Sequence, residues 1–295
     1  MGLPGRLLSL GGATGEGAGG LARWGGRLGA GAGAGARGAG LATASAQEGP
    51  GERGPPGDLP YPTYVDLSAV GQAAVAAGAA LGALRRPGRA DLVAALGETT
   101  GGPALRRMLA RMRDSEEGQR VLAARPRVTA EAMAHAWELP PHTFGGAYAD
   151  FMGRRSFSPD DRPPPRFRAC PEEAFVAQRA REVHDFWHVL FGCPTTVLGE
   201  LSLKALEFVQ TGLPVGALSL AAAARLKARQ RRQLFTEQLP WAFRAGRTCP
   251  DLICLFYEEH LEEDLESLRA RWGIIRAPQA RGSGREIGLS PSKPP

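Results

Sequence analysis

The chain has 295 residues, 43% of them hydrophobic and 22% charged, with a formal net charge of +6. That suffices for one sizeable core plus terminal tails, and the positive excess is too modest to mark a nucleic-acid surface by itself. Its four cysteines (Cys170, Cys193, Cys249 and Cys254) form no C-x-x-C pair, which argues against a zinc ribbon or a disulfide scaffold.

Residues 1–46 hold sixteen glycines, arginines at Arg6, Arg23, Arg27 and Arg37, and one acidic residue, Glu16. A basic, acid-poor, small-residue-rich start has the profile of a mitochondrial presequence, expected to be disordered. Glycine interrupts every apolar run that a secretory signal would need. Residues 47–62 read as a linker, rich in proline and glycine from Gly49 onward. Residues 279–295 read as a disordered tail.

Between them, residues 63–278 carry the pattern of an all-α single domain, a helical bundle. Ala, Leu, Arg and Glu are abundant, isoleucine is scarce, and no period-two run stands out. The spacing predicts helices over 66–85, 90–96, 103–112, 115–123 and 129–137. An irregular proline-rich stretch follows from Pro159 to Pro171. Two helices of a hairpin, 178–212, come next. A long segment from Val215 to Ala245, bent at Pro240, and a last helix from Asp251 to Trp272 complete the set. In that last helix Leu252, Phe256, Leu261, Leu265, Leu268 and Trp272 recur at helical spacing and read as a core stripe.

The longest apolar tracts, Ala73–Leu84 and Leu213–Ala224, are about twelve residues, against the roughly 20 needed to span a bilayer. Arg225, Lys227, Arg229, Arg231 and Arg232 follow the second tract. Such a stretch either lies in a membrane interface or is a core helix leaving through a solvated basic end. Aromatic residues are not interleaved with the cations, so nucleic-acid binding is not expected.

The hairpin carries the chemistry. His184-Asp185-Phe186-Trp187-His188 is followed twelve residues later by Glu200, which puts two imidazoles and two carboxylates within seventeen residues. At about 100° per residue, His184 and His188 lie about 40° apart on a helix, with Asp185 on the neighbouring flank. Gly192-Cys193-Pro194 ends that helix, and Thr195 or Thr196 can cap the next, which runs to about Thr211. Glu200 falls one turn into a helix that reads as buried nearly all round, and a buried carboxylate needs a partner. The hairpin can thus close His184, Asp185, His188 and Glu200 around one divalent ion. The alternatives are ordinary helix histidines and a Glu200–Lys204 pair at i, i+4. The pattern is not the metalloprotease H-E-x-x-H, because Asp185 follows His184. Cys193 reads as a small apolar residue at the turn.

These residues resemble the mitochondrial coenzyme Q biosynthesis protein 4 family, whose signature is H-D-x-x-H, eleven residues, then E. The resemblance also takes in Arg181-Glu182-Val183, Pro194-Thr195, Gly199 and Glu207 through Pro214. It extends more loosely from about Tyr61 to about Pro278, through Thr143-Phe144-Gly145, Asp161-Arg162-Pro163 and Arg271-Trp272-Gly273. The resemblance implies His184, Asp185, His188 and Glu200 as ligands of a divalent metal, zinc first, with manganese or iron also permitted by the donors. It implies a carbon–carbon lyase that removes the C1 carboxylate of a polyprenylated 4-hydroxybenzoate-type precursor of ubiquinone, in an oxidative or non-oxidative step. It further implies peripheral attachment to the matrix side of the mitochondrial inner membrane, assembly with other ubiquinone-biosynthesis enzymes, and a homodimer. A non-catalytic polyprenyl-lipid scaffold with a structural metal is the alternative. The tail of the substrate needs an apolar tunnel, for which 66–85 and 215–224 are the candidate walls.

Overall fold

A computed structural model describes residues 59–86 and 89–279. The expected presequence lies outside the described residues, as do nearly all of the linker and of the tail.

Among the described residues there are twelve α-helices and no strand, as the all-α reading expects. Helix α1 (Ala69–Arg85) starts at Ser68, whose Oγ accepts from Gly71 N–H at 3.1 Å, and packs on α2 (Ala90–Thr100). Helix α3 (Gly102–Asp114) has Pro103 in its first turn and buries Leu105, Met108, Leu109 and Met112, a 3/4-spaced stripe. Helix α4 (Glu116–Ala124) is capped by Ser115. These four agree with the expected spans to within a few residues.

Helix α5 (Phe144–Gly153) has no counterpart among the expected helices. Three glycines and three aromatics give it little intrinsic helicity, so burial decides. Phe144, Tyr148, Phe151 and Met152 enter the main core, each worth about 1.5–3 kcal/mol of burial. Helix α6 (Pro171–Glu182) begins at the proline that closes the irregular stretch, with Glu172 and Glu173 in its first turn, where the helix dipole favours them. Val183 breaks the chain direction, and α7 (His184–Phe191) follows, buried along its whole length. Helix α8 (Val197–Thr211) returns across it.

The long segment expected from Val215 to Ala245 is instead five consecutive elements. Helix α9 (Pro214–Ser219) runs into a 3₁₀ stretch, Leu220–Arg225. Leu226 turns extended before α10 (Ala228–Gln233). One π-helical turn, Leu234–Gln238, then absorbs Pro240 at the start of α11 (Leu239–Thr248).

Two other expected helices are corrected. Of 129–137 only a 3₁₀ turn, Ala134–Glu138, forms. Of 251–272 only α12 (Leu265–Arg271) is α-helical, with a 3₁₀ turn at Tyr257–His260. The reason is topological: Leu252 and Leu255 enter the main core while Ile253 and Cys254 enter a second cluster with Met108 and Val176. Four consecutive buried residues serving two cores cannot sit on one amphipathic helix. Most of the expected stripe still reaches the core without it: Leu252, Leu261, Leu268 and Trp272 are buried.

The centre is aromatic. Trp187 donates its Nε1–H to Tyr257 Oη at 2.8 Å, and Tyr257 donates to Leu252 O at 2.7 Å. The buried polar ends are thereby satisfied. Among the described residues no helix is long and apolar enough to cross a membrane, and the four cysteines are free thiols.

Candidate metal centre

The hairpin is built by its turn. Gly192 takes φ +66° at the end of α7, and Cys193 N–H closes on His188 O at 3.0 Å. Thr196, rather than Thr195, caps α8, its Oγ1 accepting from Gly199 N–H at 3.2 Å. A Cβ on Gly199 would lie 2.0 Å from Pro194 O, so glycine lets the chain double back this tightly. Glu200 is thus laid over the two imidazoles.

His184, His188 and Glu200 converge, one donor atom of each lying within 4.8 Å of the others. The two Nε2 atoms are 3.0 Å apart. Glu200 Oε1 lies 3.3 Å from His188 Nε2, and Oε2 lies 3.6 Å from His184 Nε2. Donors at ordinary zinc distances on a tetrahedron are about 3.3 Å apart, so these edges fit a divalent ion with little movement.

Both imidazoles are aimed by their other nitrogen. His188 Nδ1 donates to Cys193 O at 2.9 Å, and the ring stacks on Phe151 with centroids 5.2 Å apart. His184 Nδ1 bonds the Glu207 carboxylate. These acceptors assign a proton to each Nδ1, so that each Nε2 can give its lone pair to a metal. Lys204 Nζ in turn donates to both Glu207 oxygens, at 2.9 and 2.8 Å. Lys204 is therefore paired at i+3, not with Glu200 at i−4.

The charges follow. Burial alone would raise the Glu200 carboxyl, but the two imidazoles outweigh it and hold it well below the usual carboxylate range. Burial and Lys204 lower the His184 pKa, yet Glu207 and Glu200 leave it raised overall.

Asp185, the fourth residue the sequence points to, stands apart from this cluster. Its buried carboxylate pairs with the Arg162 guanidinium. Glu200 also differs from expectation: its side chain is 38% exposed, and Phe208 is exposed farther along α8. The exposed side opens on a cavity of about 460 Å³ lined by His184, His188, Glu200 and Lys204 at one side. Its apolar walls include Leu84 of α1, Val93 of α2, and Val215 and Leu218 of α9. Both segments expected as tunnel walls line it. Three donors with an open side differ from a closed structural set of four.

Reading the sequence alone gives Lys204, Glu207 and Arg162 no role. The first two carry a local signal, since 200, 204 and 207 share one face of a helix. Arg162 has none: the fold alone brings it to Asp185.

Residues 61–278 match the sequence family described as coenzyme Q (ubiquinone) biosynthesis protein Coq4. The chain is 42% identical over 230 residues to the mitochondrial ubiquinone biosynthesis protein coq4 of Aspergillus terreus, covering 77% of this chain and 80% of that one. It is 43% identical over 224 residues to the protein of the same name from Penicillium rubens, covering 75% and 79%. A solved chain from Nostoc punctiforme PCC 73102, crystallised as a candidate ubiquinone biosynthesis protein, superposes with a TM-score of 0.55. It covers 68% of this chain and 96% of its own length, and at 18% identity it speaks for the fold alone.

Proposed function

The chain belongs to the coenzyme Q (ubiquinone) biosynthesis protein Coq4 family, and from that premise we propose that it acts in ubiquinone biosynthesis as a metal-dependent decarboxylase. The substrate class is a polyprenylated 4-hydroxybenzoate that loses its C1 carboxylate. One observation carries the reading: a three-donor cluster opens directly onto a large apolar cavity. An ion held through three protein ligands keeps a position for substrate, and the cavity suits a ring with a long hydrocarbon tail.

His184, His188 and Glu200 are the ligands; two nitrogens with one carboxylate suit zinc, the ion expected, and equally suit non-haem iron. When bound, the ion supplies a positive centre that stabilises the charge developing on the substrate as the C–C bond breaks. The chain's own residues do the positioning. Cys193 O and Glu207 fix the two imidazole rings, and Phe151 backs His188. Leu84, Leu218, Ala221, Ala222 and Ala224 hold the tail away from water. An oxidative form of the step calls for a redox-active metal or an external oxidant.

The same reading places the protein on the matrix face of the mitochondrial inner membrane, in an assembly of ubiquinone-biosynthesis enzymes. Its support is the mitochondrial name of the relatives, the exposed leucines Leu84 and Leu218 on the cavity wall, and the basic run from Arg225 to Arg232 beside them.

Elemental mass spectrometry on wild type and His188→Ala tests the centre, and release of CO₂ from a prenylated 4-hydroxybenzoate, with and without an oxidant, tests the reaction. We expect about one equivalent of metal, lost in the variant, and CO₂ release only from loaded wild type. A loaded protein that releases no CO₂ under either condition would overturn the decarboxylase reading.

A further inference from the structure

Among the charged side chains lining the cavity, Arg162 stands out by how it is held. It follows a 3₁₀ turn, Pro159–Asp161, takes an extended backbone, and precedes Pro163. Its side chain lies on the cavity wall, 23% exposed, and its guanidinium pairs with the Asp185 carboxylate, whose side chain is 4% exposed. Among the described residues, one Arg162 nitrogen bonds Asp185 Oδ2. A guanidinium has five N–H donors, and that single bond leaves most of the fork to the cavity. Asp185 is also the residue next to His184, so the anchored cation sits beside the metal ligands rather than at a distant rim. Glu200 acts on Arg162 electrostatically as well.

Charge around the cluster points the same way. Two further carboxylates neighbour the donors: Lys204 neutralises Glu207, and Arg162 neutralises Asp185. Glu200 is left to the imidazoles. A divalent ion on His184, His188 and Glu200 then carries one positive charge in excess; elsewhere on the mainly apolar lining Arg181 is paired with Glu98, and Arg225 and Asp161 offset each other in sign. The missing complement is a monovalent anion.

We propose that Arg162, anchored by Asp185, receives the carboxylate of an aromatic acid in this cavity, and that Asp185 is a positioning residue for it rather than a metal ligand. A planar fork matches a carboxylate in two parallel hydrogen bonds, which a lysine at the same place does not supply. Asp185 fixes the side chain's rotamer without filling the fork. The acid is thereby set with its carboxyl group at the metal side and its tail along the apolar walls. This rests on the proposed decarboxylation for the identity of the acid, but the recognition is a binding property and separable from turnover.

The experiment uses the metal-loaded protein and two probes, a short-chain prenylated 4-hydroxybenzoate and the corresponding prenylated phenol that lacks the carboxyl group. Arg162→Gln is expected to weaken acid binding about 10- to 100-fold while the phenol binds within about twofold of wild type. Arg162→Lys recovers part of the acid affinity. Asp185→Asn lowers the acid preference in the same direction while metal content stays at one equivalent. Unchanged phenol binding certifies a folded cavity in each variant. The proposal is overturned if Arg162→Gln binds the acid as wild type does, or weakens both probes alike. It is equally overturned if Asp185→Asn loses its metal as His188→Ala does. A wild type that prefers the acid through Arg162 yet releases no CO₂ sinks the decarboxylase reading and leaves this inference standing.

Discussion

Glu207 links the imidazole of His184 to a lysine: its carboxylate accepts the Nδ1–H of His184 at Oε1 and the ammonium of Lys204 at both oxygens, at 2.8–2.9 Å. The first bond orients the imidazole and enriches its Nε2; the second prevents the carboxylate from competing for the ion. Glu207→Gln keeps the shape and removes the charge. We expect metal affinity to fall about 10- to 100-fold, read by competition with a fluorescent chelator, with the far-ultraviolet circular dichroism unchanged. An affinity equal to wild type would mean that the ring is held by packing alone.

The same carboxylate sets an acid limit on stability. Burial raises its pKa, but Lys204 and His184 outweigh burial and bring it down to about 2. In an unfolded chain a glutamate titrates near about 4.3. A group depressed by folding contributes stability that is fully present above the unfolded value and lost as pH falls toward the folded one. In chelator-treated protein the melting-temperature gap between wild type and Glu207→Gln should therefore narrow from pH 5 to pH 2. A gap constant over that interval would contradict the pairing.

The cavity walls should read tail length. Val93 lines the cavity from α2 and is only partly buried, so Val93→Trp places an indole in the cavity with little strain on the core. Binding of a long-chain prenylated acid should drop about tenfold or more, while 4-hydroxybenzoate itself binds as before. Equal losses for both would place the tail elsewhere.

Arg229, Arg231 and Arg232 are exposed on α10, and Phe235 is exposed one turn on. Leu84 and Leu218 are exposed on the cavity wall, and Arg225 bonds Leu84 O. Each cation near an anionic leaflet contributes about 1 kcal/mol. Reversing the three arginines to glutamate should cut co-sedimentation with vesicles containing anionic lipid by a factor on the order of 100, and raised salt should mimic it in wild type. Salt-insensitive binding, unchanged by the reversals, would assign attachment to the apolar residues alone.

Much of the candidate metal centre was legible because it is local. His184, His188 and Glu200 are fixed by helix periodicity, by Gly192 and by the Thr196 cap, all within seventeen residues. Helices α1 to α4 were legible for the same reason, since caps and 3/4 spacing act within a few turns. Helix α5 was not, because its glycines and aromatics are helical only where the core pays for them. The stretch from Asp251 to Asp264 was misread because its apolar residues keep helical spacing while serving two cores at once.

By itself, then, the sequence determined an all-helical chain carrying four candidate donors at metal spacing, since hydrogen-bonded turns and side-chain periodicity are short-range. Tertiary structure alone decided that Asp185 faces Arg162, that Glu200 opens on a cavity, and that α1, α2 and α9 wall it. The Arg162–Asp185 pair joins residues 23 apart in the chain and the cavity wall joins three separate helices, where no local rule operates and only the packing of the finished core selects a partner.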